Sequence, residues 1–269
     1  MRVEQRTVSA NGADLYCEVR GAGPAVLFIS GATGDAGQFE RVADLLADGF
    51  TVVTYDRRGN SRSPRPAGWN STSVAEQADD AAALLAALRV APAAVYGNSY
   101  GAICGLDLLI RYPHLVRGAV LHEPPLLSVV DKPEEVQAAV GSVVQEGMAA
   151  GGPAKAVESF MRFAAGDAGW EGMESSLRER MSANGEALFG TEMGTFEPYR
   201  PDDATMAAIN VPTLVLTSEE SAPFFHAVAG WLAGQLGVEV RRTPGTHLPQ
   251  LDHPEELVRT IGPFLRDLP

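Results

Sequence analysis

The chain has few cysteines, an excess of acidic over basic residues and no long apolar run, and each of these features excludes a class of protein. Its two cysteines, Cys17 and Cys104, lie in apolar segments without the spacing of a metal site, so we expect buried free thiols. Lys and Arg total 21 against 34 Asp and Glu, which gives a formal net charge of −13. Nucleic acid and anionic membranes would repel such a chain, and we expect neither as a partner.

Targeting and repeat signals are also missing. No apolar run approaches the length of a membrane span, and the first residues lack the apolar core of a signal peptide. We therefore expect a soluble cytoplasmic protein. No internal repeat or low-complexity segment is visible, and 269 residues with 45% hydrophobic content suit one large α/β domain, with room for an inserted subdomain.

Strand-like and helix-like segments alternate along most of the chain. The predicted strands are 3–9, 13–20, 25–30, 50–55, 93–96, 116–122, 212–217 and 238–242. The predicted helices are 37–48, 73–89, 102–111, 223–236 and 254–267. This alternation indicates right-handed βαβ units and a mostly parallel sheet. Asn11-Gly12 joins the first two strands, which predicts an antiparallel hairpin at one edge.

The pattern changes between residues 126 and 205, where no clear strand is seen. Three helical segments are predicted there: 133–150, 153–165 and 171–184. Because this stretch separates two core strands, we expect it to cover their carboxyl ends as a helical lid, where open α/β sheets bind ligands. The predicted organisation is a core domain, 1–125 and 206–269, and a lid subdomain, 126–205. Phe and Met side chains of the lid are expected to form its own core and part of an apolar pocket.

The segment Gly97-Asn98-Ser99-Tyr100-Gly101 follows a predicted strand and precedes a predicted helix. A strand, a sharp turn with serine at its tip and a helix form the nucleophile-elbow arrangement, which exposes the serine hydroxyl. The glycines let the helix pack closely on the strand. A serine hydroxyl needs a base to take its proton. The motif therefore indicates a catalytic serine only if the rest of the chain supplies a base, an acid and oxyanion donors.

His247 is the best candidate for that base among five histidines. It lies in a loop after the last predicted strand, at the sheet edge that carries the elbow, and histidine titrates near neutral pH. His114 and His253 adjoin prolines at helix ends, and His226 lies within a helix. His122, beside a carboxylate at a strand end, is a weaker rival.

Two strand ends carry carboxylates that could orient the histidine. Glu123 follows the predicted strand 116–122, whereas Glu219 and Glu220 follow the predicted strand 212–217. Both positions lie at the correct edge of the sheet, and both keep the chain order serine, acid, histidine.

Two backbone N–H groups are expected to hold the oxyanion that forms during acyl transfer. One belongs to Tyr100, directly after the serine, and Ala32 in the glycine-rich loop after strand 25–30 is the candidate for the other. An alternative interpretation of that loop is a phosphate-binding site. It is disfavoured because the loop lacks the P-loop lysine and the glycine spacing of dinucleotide-binding proteins. Asp56 and Arg57 are interpreted as a structural turn that braces the elbow.

These segments resemble the α/β-hydrolase superfamily over nearly the whole chain. The matching segments are the elbow, Ser30-Gly31, the stretch 56–63, Gly245-Thr246-His247 and the stretch 253–256. In most members the acid is an aspartate in the loop following the strand after the lid, and the corresponding residue here is Ser221. The usual acid is therefore missing.

A subset of the superfamily carries the acid directly after the strand before the lid. One group of haloalkane dehalogenases and the zearalenone lactonases are of this kind. The chain is similar to the lactonases at His122-Glu123-x-Pro125, at Phe224-Phe225 and around His247. The resemblance implies that Glu123 is the acid, with Glu220 and then Glu219 as alternatives.

The resemblance also implies a function. It is that of a serine hydrolase without cofactor or metal, which cleaves a carboxylic ester or lactone of a small apolar substrate, such as a zearalenone-type lactone, through an acyl-enzyme. Dehalogenases and epoxide hydrolases are disfavoured because they carry an aspartate at the position of Ser99. C–C bond hydrolysis and perhydrolysis by the same triad stay open, as does a non-catalytic ligand-binding member of the fold. The oligomeric state is also open, a homodimer included.

Overall fold

Eight strands form one sheet in the computed structural model, which describes residues 2–196 and 198–269, apart from the side chain of Phe196. The strands are β1 (Val3–Ala10), β2 (Ala13–Arg20), β3 (Ala25–Ile29), β4 (Thr51–Tyr55), β5 (Ala93–Asn98), β6 (Val116–His122), β7 (Thr213–Ser218) and β8 (Val240–Thr243). Their order in the sheet is β1-β2-β4-β3-β5-β6-β7-β8. β2 is antiparallel to both of its neighbours, and the remaining pairs are parallel. The predicted, mostly parallel sheet with a hairpin at one edge is confirmed.

Helices cover both faces of this sheet. They are α1 (Glu40–Leu46), α2 (Val74–Leu88), α3 (Tyr100–Arg111), α4 (Pro133–Gly172), α5 (Ser175–Ala183), α6 (Gly185–Ala187), α7 (Met193–Phe196), α8 (Asp203–Ala207), α9 (Pro223–Leu236), α10 (Pro249–Asp252) and α11 (Pro254–Asp267). Short 3-10 turns occur at Ala36–Phe39, Pro113–Leu115 and Leu127–Val129, and a π-helical turn at Leu188–Glu192. α2, α3 and α9 pack on one face, and α1 and α11 on the other.

The central strands are buried on both faces, which explains their unbroken apolar sequences. In β3, Leu27 and Ile29 join the core beneath α2 and α3, while Val26 and Phe28 join the core beneath α1 and α11. Alternate side chains of one strand therefore serve two separate cores.

Local signals in the sequence account for the turns and most element ends. Asn11 and Gly12 both have positive φ, 48° and 74°, as a two-residue hairpin turn requires. The Ser73 hydroxyl accepts a hydrogen bond from the Glu76 N–H and so caps α2 at its start. One predicted helix differs: 171–184 is divided, because Met173 is extended (φ −71°, ψ 147°) and α5 begins only at Ser175.

A long helical insertion separates β6 from β7, and we call residues 126–205 the insertion. Its first helix, α4, leaves helical geometry at Gly151, Gly152 and Gly166. The insertion has a core of its own, formed by Val157, Met161, Ala165, Trp170, Met173, Leu177, Met181 and Leu188. Leu248 of the loop after β8 joins this core and so ties the insertion to the sheet. None of the helices within the described ranges is long and apolar enough to cross a membrane.

Candidate active site

Ser99 stands at the tip of the turn between β5 and α3, in a sparsely populated backbone conformation (φ 56°, ψ −125°). Its N–H donates to the carbonyl of His122 at 2.9 Å, which fixes the turn to the end of β6. A Cβ added to Gly97 would lie 2.3 Å from the carbonyl oxygen of Gly101, and one on Gly101 would lie 2.1 Å from that of Ile29. The close packing inferred from the two glycines is therefore present.

The sheet register brings three strand ends together. Asn98 at the end of β5 lies opposite His122 of β6, and His122 lies opposite Leu216 of β7. Ser99, Glu123 and the loop after β7 consequently start from adjacent points on one edge of the sheet.

The carboxylate hydrogen-bonded to His247 is that of Glu123. Its Oε2 lies 2.6 Å from His247 Nδ1 and accepts a hydrogen bond from the Ser221 hydroxyl at 2.8 Å. Its Oε1 accepts from the Thr217 hydroxyl and the Ser218 N–H, each at 2.7 Å. We call these five residues the acid network.

Glu123 is completely buried, yet its surroundings keep it ionised. Burial raises the pKa of its carboxyl, but the nearby His122, the bond from His247 and the Ser218 N–H outweigh that effect and lower the pKa to about 2. A carboxylate that stays charged can stabilise an imidazolium that forms beside it.

The alternative acids occupy exposed positions. Glu219 and Glu220 bond through their backbone N–H groups to the carbonyls of Thr243 and Gly245, at 2.9 and 3.0 Å, and both side chains are exposed. Ser221, the position at which the resemblance places the usual aspartate, instead donates its hydroxyl proton to Glu123. A hydrogen-bond donor to Glu123 therefore stands where the sequence comparison expected an acid.

His122, the weaker rival for the base, is fully buried behind His247. Its Nδ1 accepts from the Asn98 amide at 2.9 Å, so its proton is on Nε2, which faces the Ser218 hydroxyl at 3.0 Å. Burial lowers the pKa of His122 to about 4, and the ring is therefore neutral near pH 7. The Asn98 amide also donates to the carbonyl of His247 at 3.1 Å. Asn98 had no predicted role beyond its place in the elbow, although a polar side chain at the end of an apolar strand is a signal that could have identified it.

A cavity of about 660 Å³ lies between the strand ends and the insertion. Ser99, Ala32, Tyr100 and His247 all line it. The remaining wall is mainly apolar and includes Leu127, Val136, Val140, Val144, Phe160, Phe163, Met193, Phe224 and Phe225. Among the described lining residues, Glu220 is the one with a charged side chain, and this residue is exposed to solvent. Four of the five predicted site residues thus face this cavity, and Glu123 lies directly behind His247.

The ring of Phe225 packs on the face of the His247 imidazole. The two rings are stacked, with centroids 4.1 Å apart and planes 13° apart. Phe224 packs against Phe225 in turn, with centroids 4.0 Å apart. In the sequence this pair stood out only through the resemblance to the lactonases, and no spacing rule places an aromatic ring on a distant histidine.

Among the described residues, the cysteines and the carboxylate and histidine side chains outside this site do not form a second centre. Burial raises the pKa of the Cys17 thiol to about 11 and that of Cys104 to about 12, so neither forms the nucleophilic thiolate near neutral pH. Within residues 2–196 and 198–269, no group of three or more His, Cys, Asp or Glu side chains is placed to hold a metal ion.

Comparison with known proteins identifies the family of the chain. The family model described as alpha/beta hydrolase fold matches residues 24–254. The chain is 33% identical to "Uncharacterized hydrolase YraK" of Bacillus subtilis (strain 168), over 92% of this chain and 90% of that one. It is 26% identical to a zearalenone hydrolase of Bionectria ochroleuca, over 97% of both chains. The crystal structure of carboxylesterase CesB (YbfK) from Bacillus subtilis superposes with a TM-score of 0.78 at 20% identity, and covers 98% of this chain and 92% of that one. The chain belongs to the α/β-hydrolase fold family.

Proposed function

We propose that the protein is a serine hydrolase that cleaves a carboxylic ester or lactone in an apolar, uncharged substrate. The observation that carries the proposal is the 2.6 Å contact between Glu123 and His247, beside a serine at a strained elbow that faces an apolar cavity. A buried ionised acid, a histidine and a serine that lines the cavity are the three parts that acyl transfer needs.

In the first half of the reaction, Ser99 Oγ attacks the carbonyl carbon of the substrate while His247 takes the hydroxyl proton. Glu123 orients the ring through Nδ1 and stabilises its positive charge. His247 then passes the proton to the leaving alcohol oxygen as the C–O bond breaks. The products of this half are an alcohol and an acyl group bound to Ser99.

In the second half, a water molecule attacks the acyl carbon and His247 takes its proton. The bond to Ser99 Oγ breaks, the serine regains the proton, and the carboxylic acid leaves. A lactone follows the same steps, but its alcohol and acid remain parts of one molecule. The oxyanion of both tetrahedral intermediates is assigned to the N–H groups of Ala32 and Tyr100.

The walls of the cavity support an apolar substrate. Burial against Phe160, Phe224 and the valines of α4 favours carbon-rich groups, and the described lining offers no cation to a carboxylate. The insertion, proposed here as a lid domain over a core of 1–125 and 206–269, supplies most of these walls. A resorcylic macrolactone is the first substrate to test, because a full-length relative is a zearalenone hydrolase.

The test is a substrate panel of aryl esters, resorcylic macrolactones, β-diketones and peracid formation from carboxylic acids, combined with fluorophosphonate labelling. We expect ester or lactone cleavage and labelling of Ser99. Ser99→Ala should lower kcat by about 10⁵ to 10⁶-fold, because the nucleophile is lost. The matched control is Ser142→Ala, at an exposed serine of α4, which should keep full activity. Activity confined to β-diketones or peracid formation, or folded protein that fluorophosphonate leaves unlabelled, would refute the proposal.

A further inference from the structure

The loop that carries Ala32 accepts two hydrogen bonds from one buried guanidinium. Arg57, two residues after the end of β4, is fully buried and makes five hydrogen bonds, one for each N–H of its guanidinium. Nε donates to the carbonyl of Ser30 at 3.0 Å, and Nη2 donates to the carbonyl of Gly31 at 2.9 Å. A further bond reaches Gln77 on α2 at 3.3 Å.

The bond to Gly31 bears directly on Ala32. The carbonyl of Gly31 and the N–H of Ala32 belong to the same planar trans peptide, in which the two groups point in opposite directions. A donor that fixes the carbonyl therefore fixes the direction of the N–H. It also polarises the peptide, which makes the N–H a stronger donor to an oxyanion.

The other partner of this guanidinium comes from the insertion. Nη1 and Nη2 of Arg57 bind Oε1 and Oε2 of Glu192 in a two-point contact, at 2.7 and 2.8 Å. Glu192 lies at the end of the π-helical turn and is fully buried, and its Oε1 also accepts from the Asn60 amide at 2.9 Å. Burial would lower the pKa of Arg57, but the Glu192 carboxylate raises it above its ordinary value, so the guanidinium keeps its charge.

The same pair touches the second oxyanion donor residue. The Arg57 Cζ lies 4.9 Å from the centre of the Tyr100 ring, and the Tyr100 hydroxyl bonds the Thr195 hydroxyl at 2.9 Å. Thr195 in turn donates to the carbonyl of Glu192 at 2.7 Å. Both candidate donor residues, Ala32 and Tyr100, are thus connected to one turn of the insertion.

We propose that Arg57 and Glu192 are positioning residues. The oxyanion hole takes its active geometry only when residues 188–195 of the insertion, the π-helical turn and the start of α7, are docked on the core. Neither side chain lines the cavity, so both act through the peptide of Gly31 and Ala32 and through the ring of Tyr100. The inference rests on the proposed hydrolase function. It extends the role of Arg57 beyond that of a structural turn and makes the insertion part of the catalytic geometry.

The chain offers a matched control one residue away. Arg58 pairs with Asp80 of α2 through Nε to Oδ2 at 2.6 Å and through a second contact from Nη2 to Oδ1. Asp80 is 1% exposed and Glu192 is 0% exposed, so both carboxylates belong to buried ion pairs of the same loop. Asp80, however, does not line the cavity and bonds neither Ala32 nor Tyr100.

The experiment compares Glu192→Gln with Asp80→Asn, using an aryl trifluoromethyl ketone and its methyl analogue as probes. Addition of Ser99 Oγ to the trifluoromethyl ketone forms a hemiketal, the proton passes to His247, and the resulting oxyanion occupies the oxyanion hole. The methyl ketone fills the cavity without a stable adduct. We expect Glu192→Gln to weaken trifluoromethyl ketone affinity and lower kcat by about a hundredfold, as for loss of an oxyanion donor, with KM and methyl ketone affinity nearly unchanged.

Asp80→Asn should lower the melting temperature but leave trifluoromethyl ketone affinity and kcat nearly unchanged. If Glu192→Gln behaves like Asp80→Asn, the proposed coupling is wrong. Should Glu192→Gln not fold, Thr195→Val decides: about a tenfold loss of trifluoromethyl ketone affinity supports the coupling, and unchanged affinity refutes it. Failure of the wild-type protein itself to form the adduct would instead refute the hydrolase function.

Discussion

Two buried polar networks meet at the cavity, and they are built from different parts of the chain. The acid network around Glu123 uses residues that follow β6, end or follow β7, or lie in the loop after β8, all at one edge of the sheet. The network around Arg57 joins the loop after β3 and helix α2 to Glu192 of the insertion, which is 135 residues from Arg57 in the sequence. One network is internal to the core, whereas the other spans the core and the insertion.

This difference separates two duties of a hydrolase site. Neighbouring strand ends are held by the hydrogen bonds of the sheet, and the bond between the base and its acid joins residues of the core alone. In the proposed coupling, the oxyanion hole depends on the contact between Arg57 of the core and Glu192 of the insertion. Changes in the acid network should therefore slow the chemical step for every substrate. Changes in the insertion should affect the oxyanion hole and the substrate specificity.

The largest expected effect comes from removing the charge in the acid network. Glu123→Gln should lower kcat by about 10⁴-fold, because a neutral amide no longer stabilises the imidazolium and favours the wrong tautomer of His247. Steady-state kinetics on the best ester of the panel measures this. Glu220→Gln is the control, since that carboxylate is exposed, and it should change kcat by less than about twofold. A large loss of kcat in Glu220→Gln, with little change in Glu123→Gln, would instead identify Glu220 as the acid.

A second variant tests whether the acid must come from β6. Ser221 Oγ lies 2.8 Å from the same Glu123 oxygen that bonds His247, so a carboxylate at position 221 comes within reach of the ring. Glu123→Gln combined with Ser221→Asp should recover about two of the four lost orders of magnitude in kcat. Glu123→Gln combined with Glu220→Asp serves as the control and should recover nothing. Equal activities of the two double variants would contradict this geometry.

The smallest effect concerns stability against acid and comes from His122. Its pKa is about 4 when folded and 6.5 in the unfolded chain, so the unfolded chain takes up the proton first as the pH falls. This lowers the free energy of unfolding by about 2 to 3 kcal/mol between roughly pH 7.5 and 4.5. Glu123, whose pKa is lowered to about 2, adds its own loss only below about pH 4.5.

Urea unfolding across that pH range measures the effect, with His122→Asn as the comparison. The variant should show a pH dependence that is weaker by the same amount, since asparagine does not titrate. Parallel curves for the two proteins would mean that His122 is not held neutral.

The sequence predicted well whatever follows from strand ends. Periodicity predicted the strands and the edge at which they end, and Ser99, His247 and the candidate acids were placed at or shortly after such ends. The resemblance to the lactonases and the absence of an aspartate at position 221 favoured Glu123, and the structure hydrogen-bonds that carboxylate to His247. These residues lie together because parallel strands must deliver their carboxyl ends to one edge.

The sequence could not predict what depends on how the insertion docks. A glutamate in a helical run, such as Glu192, has the pattern of a solvent-exposed residue, and only the folded structure places it against Arg57. His122 was weighed as a base, although its burial and its bond from Asn98 make it a neutral support for its neighbours. Burial and long-range pairing are properties of the folded chain and leave little trace in local spacing.

The backbone of Ser99 sets a limit on how this protein can be improved. A serine at φ 56° and ψ −125° stores roughly 1 to 3 kcal/mol, which glycine would relieve at no steric cost. The substitution that most simply relaxes the elbow is therefore the one that removes the nucleophile. Selection for a longer-lived fold and selection for turnover act in opposite directions at this single residue, so gains in thermostability must come from elsewhere in the chain.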